Sequence, residues 1–174
     1  MLGAGGKDGR GATPPARLSQ PATHRRARDL VDERVKVVSS TSMEHAPLPD
    51  GYHSVNPYIV VEGVEHLIAF LGEVFGGLEY GERETRPDGT IGHANVRIGD
   101  SVVMLSEATS DHPARPCVQF AYVGDVDAVF RNALRAGAKT IIEPSEQPWG
   151  DRVGGFHDPF DNRWWVATHL GDLP

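Results

Sequence analysis

Cysteine, aromatic residues and long apolar runs are all scarce in this chain of 174 residues. Its single cysteine, Cys117, excludes an internal disulfide and a zinc site built from paired cysteines, and it is compatible with a reducing cytoplasm. No apolar run is long enough for a helical membrane span. Only 7% of the residues are aromatic, and residues 1–47 contain none of Phe, Tyr or Trp. These absences predict a soluble, cytoplasmic protein held together by its core alone.

Positive charge is scarce beyond the first 47 residues. Residues 1–47 hold 8 Lys and Arg against 5 Asp and Glu, whereas residues 48–174 hold 9 against 19, a net charge of −10. An acidic body repels phosphate, which argues against a nucleic-acid partner. If charge selects a ligand for this body, it favours a cationic one.

The first 47 residues have the composition of a tail. They are punctuated by Gly and Pro and offer too little apolar surface to offset the entropy lost on ordering. The pair Arg25 and Arg26 is not followed by an apolar stretch, which excludes a twin-arginine export signal. We predict a disordered extension over residues 1–47 and a folded domain over 48–174. Met43 is an alternative start, so whether residues 1–42 belong to the native protein stays open.

Two stretches of the body carry apolar residues at helical spacing. One reads GVEHLIAFLGEVFGG and ends at Gly76, and the other reads GDVDAVFRNALRAGA, from an N-cap at Asp125 to a terminating Gly137. Strand-like segments precede these helices at residues 56–61 and 117–123. The chain therefore contains the same strand–helix unit twice.

A shift of 62 positions aligns the two units along most of their length. It places Tyr58 on Phe120 near one end and strand 102–106 on strand 164–168 near the other. Hairpin signals, such as Pro87-Asp88-Gly89, separate further strands within each unit. The pattern predicts an α+β fold made of two βαβββ modules, with helices on the outer face of one curved mixed sheet.

We place the first predicted module at about residues 52–108 and the second at about 115–170. The motifs GYHSVNPYIVVEG, DGTIGHANVRIGDSVVMLSE and WGDRVGGFHDPFDNRWWVATHL resemble the vicinal oxygen chelate superfamily, which contains glyoxalases, bleomycin-resistance proteins and extradiol dioxygenases. The resemblance is closest to its PhnB-like branch. It implies a cupped sheet that holds a small molecule, often in a homodimer. Because the superfamily includes both enzymes and drug-sequestering proteins, the fold alone does not give the function.

The resemblance also implies four metal-ligand positions, on the first and last strands of each module. In this sequence they fall on Asn56, on Val103 or Met104, on Val118 and on Trp165. Valine and tryptophan offer no lone pair to a divalent ion, methionine suits only soft metals, and asparagine is a weak single ligand. We therefore expect no cofactor, although a divalent metal held by relocated ligands stays open.

Alternation along the strands predicts which side chains line the cup. His93, Asn95 and Arg97 share one face of their strand, and Trp165 and His169 share one face of the last strand. Two roles for Arg152 stay open. It could form an ion pair with Asp151 that holds a turn, or its guanidinium could donate hydrogen bonds to an anionic ligand group. The predicted ligand-binding residues are Asn56, Tyr58, His93, Asn95, Arg97, Phe120, Tyr122, Trp149, Arg152, Trp165 and His169.

Three functions are compatible with these residues. The first is a metal-free binder of a small cationic or aromatic molecule, such as a drug-sequestering protein. The second is a metal-dependent lyase, isomerase or dioxygenase whose relocated ligands come from His93, His157 and His169, with Glu107. The third is a metal-free enzyme with His93 or His169 as general base. The sequence favours the first and leaves catalysis open.

Overall fold

The computed structural model describes residues 48–171, which form two βαβββ modules. Module one contains β1 (Tyr58–Val61), α1 (Val64–Phe75), β2 (Leu78–Glu79), β3 (Glu84–Thr85), β4 (Ile91–Ile98) and β5 (Ser101–Glu107). Module two contains β6 (Val118–Tyr122), α2 (Val126–Arg135), β7 (Lys139–Glu146), β8 (Asp151–His157) and β9 (Arg163–His169). The predicted α+β fold with a duplicated layout is confirmed. The disordered extension predicted for residues 1–47 lies outside the described residues.

Each module has its own mixed sheet. The first sheet has the order β1-β5-β4-β2, with β3 also paired to β4, and the second has the order β6-β9-β8-β7. In each module the first and last strands pair in parallel, and the other pairs are antiparallel. Within residues 48–171 the two sheets share no strand pairing, so one chain carries two sheets in place of the single curved sheet that we expected.

The two helices start and end where the sequence predicts. The Asp125 carboxylate accepts a hydrogen bond of 2.9 Å from the Ala128 N–H and caps α2. At the end of α1, Gly76 adopts a left-handed conformation with φ of 66°, and Gly137 does the same beyond α2 with φ of 94°. Neither helix within residues 48–171 is long and apolar enough to cross a membrane.

Both helices lie between the two sheets and share one core. The Phe75 ring of α1 lies 4.9 Å from the Trp164 ring of β9, measured between centroids. Phe156 of β8 lies 6.3 Å from Phe70 of α1 and 6.3 Å from Phe130 of α2. The helix-facing sides of the sheets are therefore buried against each other's helices. We call the opposite side of each sheet its outer face.

Residues 78–85 form two short strands, β2 and β3, and not one continuous strand. Gly81, between them, has a φ of 74°, outside the range of a regular strand. Arg83 follows and pairs with the carboxylates of Glu79 and Glu65, the second of which lies on α1. Both short strands stay paired with β4 on either side of this interruption.

The predicted shift of 62 positions holds at the start of the modules and fails at their last strand. Helices α1 and α2 start 62 residues apart. Tyr58 pairs with Met104, however, and its counterpart Phe120 pairs with Trp165, which makes the shift 61 there. The predicted alignment of strand 102–106 with 164–168 is therefore wrong by one residue. A one-residue slip exchanges the two faces of a strand.

Candidate functional site

The outer face of module two carries a row of exposed aromatic side chains. Val118, Phe120 and Tyr122 all point outward from β6 and are each more than half exposed. The Phe120 and Tyr122 rings lie 5.3 Å apart between centroids. On the helix-facing side of the same strand the side chains are half-buried. An apolar and aromatic surface of this kind is typical of a ligand or partner contact.

Trp165 continues this row onto β9, where it pairs with Phe120 of β6 and with Gly155 of β8. A Cβ atom placed on Gly155 would lie only 2.6 Å from the Trp165 ring, so the indole occupies the space of a side chain at that position. Trp164 points the other way and is 2% exposed in the core. The two tryptophans thus lie on opposite faces of β9.

A buried carboxylate, Asp151, anchors the polar end of the row. It accepts hydrogen bonds from Tyr122 Oη at 3.1 Å, from Trp149 Nε1 at 3.1 Å and from His169 Nδ1 at 2.8 Å. These bonds, with that from His169 contributing most, hold the pKa of Asp151 below its ordinary value against the opposing effect of burial. The bond to Asp151 raises the pKa of Tyr122. Asp151 therefore fixes three of the side chains predicted to contact a ligand.

Arg152 lies on the opposite, helix-facing side of β8. Its guanidinium makes two hydrogen bonds to Asp127 of α2, at 2.7 and 2.8 Å. These bonds hold the pKa of Asp127 below its ordinary value and raise that of Arg152. The adjacent Asp151 and Arg152 thus bind different partners on different faces. This geometry places Arg152 away from the outer face and gives it a structural partner.

The outer face of module one is more polar and carries His93, Asn95 and Arg97 along β4. Between them Ala94 and Val96 face the helices and are fully buried. Asn95 is 8% exposed, and its Oδ1 makes no hydrogen bond within the described residues. The Arg97 Nε is also buried without an acceptor there. We call His93, Asn95 and Arg97 the polar row.

Two tyrosines flank the polar row. The Tyr58 and His93 rings lie 6.4 Å apart between centroids, and the Arg97 guanidinium carbon lies 4.0 Å from the centre of the Tyr80 ring. Tyr80 is itself anchored, because its hydroxyl donates to the Asp50 backbone carbonyl at 2.8 Å. The row is therefore bordered by aromatic rings at both ends.

The positions that the resemblance assigns to metal ligands do not suit a metal ion. Asn56 uses its amide within its own turn, donating from Nδ2 to the His53 carbonyl at 2.6 Å and accepting from the His53 N–H at 3.0 Å. The other three positions supply Met104, Val118 and Trp165, since pairing to Tyr58 selects Met104 over its neighbour. Over residues 48–171, no three side chains of His, Cys, Asp or Glu are grouped to hold a metal.

The histidine candidates do not converge. His93 and His169 lie on the outer faces of different sheets. The Glu107 carboxylate binds the backbone N–H groups of Gly63 and Val64, at 2.6 and 3.0 Å, and so caps α1. His157 Nδ1 lies 3.3 Å from the Asp161 carbonyl oxygen, in the turn before β9. The relocated cluster that the sequence left open is therefore not assembled.

Sequence reasoning missed two features of this surface. One is the role of Asp151 as a shared acceptor, which depends on Tyr122 and His169, 29 and 18 residues away along the chain, as well as on the nearby Trp149. The other is a cavity of about 610 Å³ between the modules, bordered by Phe75, Trp164 and the edge strand β6. Gly155 was a usable signal for the aromatic row of module two, since glycine inside a strand often marks a close approach by another group.

Comparison with known proteins places this geometry in a family. Residues 51–166 match the Glyoxalase/Bleomycin resistance protein/Dioxygenase superfamily. The chain is 34% identical over 131 residues to uncharacterized protein Rv0887c of Mycobacterium tuberculosis, a match that covers 69% of this chain and 76% of that protein. Its counterpart Mb0911c of Mycobacterium bovis matches equally, over 86% of its length.

Solved structures share the fold. TioX from Micromonospora sp. ML1 superposes with a TM-score of 0.54 at 23% identity, covering 67% of this chain and 99% of TioX. The fosfomycin resistance protein FosX from Mesorhizobium loti superposes with a TM-score of 0.50 at 16% identity, covering 70% and 93%. At these identities the likeness concerns the fold alone. With two βαβββ modules and a family match over most of its length, the chain belongs to the Glyoxalase/Bleomycin resistance protein/Dioxygenase superfamily.

Proposed function

We propose that the protein binds a small planar aromatic molecule against the outer face of module two, without a metal ion. The observation that carries this proposal is the aromatic row on this face, in which Phe120 and Tyr122 are exposed, Trp165 is half-buried and the Tyr122 hydroxyl is bound by the buried Asp151. Aromatic side chains bind planar ligands by stacking and by burial of a large apolar area. A sequestration role of the drug-resistance type is compatible with such a surface.

Asp151 supports this proposal by making the surface rigid. Because the Tyr122 hydroxyl and the Trp149 indole N–H both donate to it, these rings keep a fixed orientation without a ligand. Trp165 is fixed in a different way, by its contact with Gly155. A preorganised surface loses less conformational entropy on binding than a mobile one.

A second copy of the chain would complete the cup, and we propose a homodimer for this reason. Since the helices lie between the two sheets, the two outer faces of one chain point away from each other. Each face alone is open, with Tyr58 53% and Phe120 54% exposed. Placing module two of one copy against module one of the other covers both faces and encloses a ligand between them.

The oligomeric state tests this arrangement directly. Phe120→Glu places a charge on the proposed contact and is expected to shift sedimentation equilibrium from dimer to monomer. Leu134→Glu, at an exposed apolar position on α2, is the matched control and is expected to stay dimeric. A wild-type protein that sediments as a monomer at all micromolar concentrations contradicts the homodimer.

The enzyme alternatives receive less support from the same residues. The positions equivalent to metal ligands hold Asn56, Met104, Val118 and Trp165, whose chemistry does not suit a divalent ion. We therefore propose binding and derive no reaction. Membership of the PhnB-like branch and a cytoplasmic location remain predictions.

Binding is tested with three matched probes, 2-naphthoate, 2-naphthamide and 2-naphthamidine, which are anionic, neutral and cationic. The three indole N–H signals of the ¹⁵N-labelled protein report the location, once Trp149→Phe, Trp164→Phe and Trp165→Phe have assigned them. We expect at least one probe to shift the Trp165 signal. A shift of Trp164 alone places the ligand in the cavity between the modules and contradicts the proposed surface. No shift at millimolar concentration of any probe contradicts the binding function.

A further inference from the structure

We propose that the polar row of module one is a subsite for an anionic oxygen group of the ligand, such as a carboxylate or phosphonate, with a hydrogen-bond donor beside it. This proposal rests on the proposed function, because module two of a second copy would hold the aromatic part of the same ligand. It also narrows the charge of the proposed ligand. The acidic composition of the body alone favours a cation, whereas this subsite would select an anionic group.

Two unsatisfied polar groups on the same strand carry the proposal. Asn95 is more than nine-tenths buried, and its Oδ1 has no donor within the described residues. Two positions along β4, on the same face, the buried Arg97 Nε has no acceptor there. Buried polar groups in native proteins are nearly always hydrogen bonded. A ligand that supplies an acceptor to Arg97 and a donor to Asn95 satisfies both.

Arg97 also has no carboxylate partner within residues 48–171. Of the described arginines, Arg83 and Arg152 bind carboxylates. Among the others, Arg97 is distinguished by a buried Nε that makes no hydrogen bond within the described residues. No carboxylate of the described residues lies within ion-pair distance of Arg97, whose guanidinium contacts the Tyr80 ring instead. A guanidinium without an internal partner is suited to bind an external anion with two parallel hydrogen bonds.

The fold holds Arg97 in one position. Gly51 adopts a φ of 76°, and a Cβ there would collide with the Arg97 Nη2 atom. The backbone of this turn therefore lies directly against the guanidinium, opposite the strand. With the Tyr80 ring also in contact, the side chain is fixed before a ligand arrives. Such restraint is typical of binding groups and lowers the entropy lost on binding.

Three matched probes test the subsite by calorimetry: 3-phenyllactate, its uncharged amide, and 3-phenylpropanoate, which lacks the hydroxyl donor. We expect 3-phenyllactate to bind at least about tenfold more tightly than the amide, as for a charge-assisted pair. Arg97→Gln should abolish this preference, by weakening the binding of 3-phenyllactate much more than that of the amide. Arg131→Gln, which removes an exposed positive charge on α2, is the matched control and should keep the preference.

Asn95 has its own readout. 3-Phenyllactate should bind several-fold more tightly than 3-phenylpropanoate, and Asn95→Leu should remove that difference. Equal affinity of the wild type for the acid and its amide overturns the subsite and leaves the proposed function intact. The subsite is also overturned if Arg97→Gln weakens the amide as much as the acid, since the effect is then general.

A second measurement uses the wild-type protein, so its result does not depend on whether a variant folds. In the ¹⁵N-labelled wild type, the Arg97 Nε–H signal should shift when inorganic phosphate is added, and sodium chloride at equal ionic strength should leave it in place. If none of the three naphthyl probes binds but this shift occurs, the proposed function is wrong and the anion subsite stands. If the aromatic probes bind and phosphate leaves the signal unmoved, the subsite is wrong.

Discussion

The two modules share one layout but present different chemistry on their outer faces. The register makes the comparison position by position. In module one, Asn95 pairs with Met104, which pairs with Tyr58. At the equivalent positions of module two, Gly155 pairs with Trp165, which pairs with Phe120. Where module one has a polar side chain, module two has none, and the neighbouring tryptophan occupies that space.

The difference shows how a duplicated unit acquires two roles. A side chain at position 155 would exclude the Trp165 ring, so the glycine and the flat aromatic surface depend on each other. Asn95 fills the equivalent space in module one and brings unsatisfied hydrogen-bonding groups instead. The outer faces of the modules therefore differ in chemistry, one being polar and the other aromatic.

The loop before the last strand also differs between the modules. Module one turns tightly between β4 and β5, through Gly99 and Asp100. Module two uses a longer loop after β8, in which the buried Asp158 accepts hydrogen bonds from the backbone N–H groups of Phe160 and Asn162. Its second oxygen accepts from the Trp164 indole N–H at 3.0 Å. One carboxylate thus ties this loop to the core.

The largest effect on stability is expected from removing the Asp158 carboxylate, which ties the longer loop of module two to the core. Asp158→Ala leaves the indole N–H of Trp164 and several loop donors without a buried acceptor, and we expect the free energy of unfolding to fall by about 3–5 kcal/mol. Asp100→Ala is the matched control in module one, where the exposed carboxylate accepts, from the part of the chain that the structure describes, only the Ser101 hydroxyl. Its expected effect is within about 0.5 kcal/mol. Urea unfolding measures both, and equal losses would contradict the asymmetry.

A smaller effect is expected from adding one methyl group to Gly155. Gly155→Ala forces the Trp165 ring off the strand, which should lower the free energy of unfolding by about 1–3 kcal/mol and shift the Trp165 indole signal. Gly124→Ala is the control, because a Cβ there has no atom within 4 Å. If Gly155→Ala is as well tolerated as the control, the indole does not depend on the missing side chain.

The smallest effect on stability is expected from acidification, which removes the contribution of Asp151 in module two. Hydrogen bonds from His169, Tyr122 and Trp149 lower the pKa of Asp151 in the folded state from its ordinary 3.8. A lowered pKa means that Asp151 stabilises the fold above pH 3.8 and that this contribution is lost as the pH falls through the folded-state value. The free energy of unfolding should therefore decrease with acidification below about pH 4. In Asp151→Asn the slope should be shallower, and an unchanged slope would contradict this role.

Local patterns in the sequence were enough to predict the fold. The helix stretches, the Asp125 cap and the terminating Gly137 depend on neighbours along the chain, and the structure has them as predicted. Alternation likewise places His93, Asn95 and Arg97 on one face of β4. The alignment of the modules was wrong at the last strand, because module two is shorter between its helix and β8. The shift is already 60 between Asn95 and Gly155, and the longer loop before β9 raises it only to 61.

The candidate site was harder to predict because its contacts join distant residues. Arg152 was a candidate ligand contact, but its partner Asp127 lies 25 residues away on a helix. The network on Asp151 joins residues from three strands and a turn, which spacing does not reveal. The layer order was also beyond reach, since an apolar helix face does not specify whether one sheet or two will cover it.

Because the helices lie between the sheets, the residues that stabilise the core are different from the residues exposed on the outer faces. Phe156 and its neighbours maintain stability from the interior, while Tyr58, Phe120 and Tyr122 on the far sides contribute little to it because they are largely exposed. Substitutions at exposed positions usually change stability by less than about 0.5 kcal/mol. Substitutions on the outer faces can therefore change the surface that a ligand would meet while the interior, and with it the stability of the fold, stays constant.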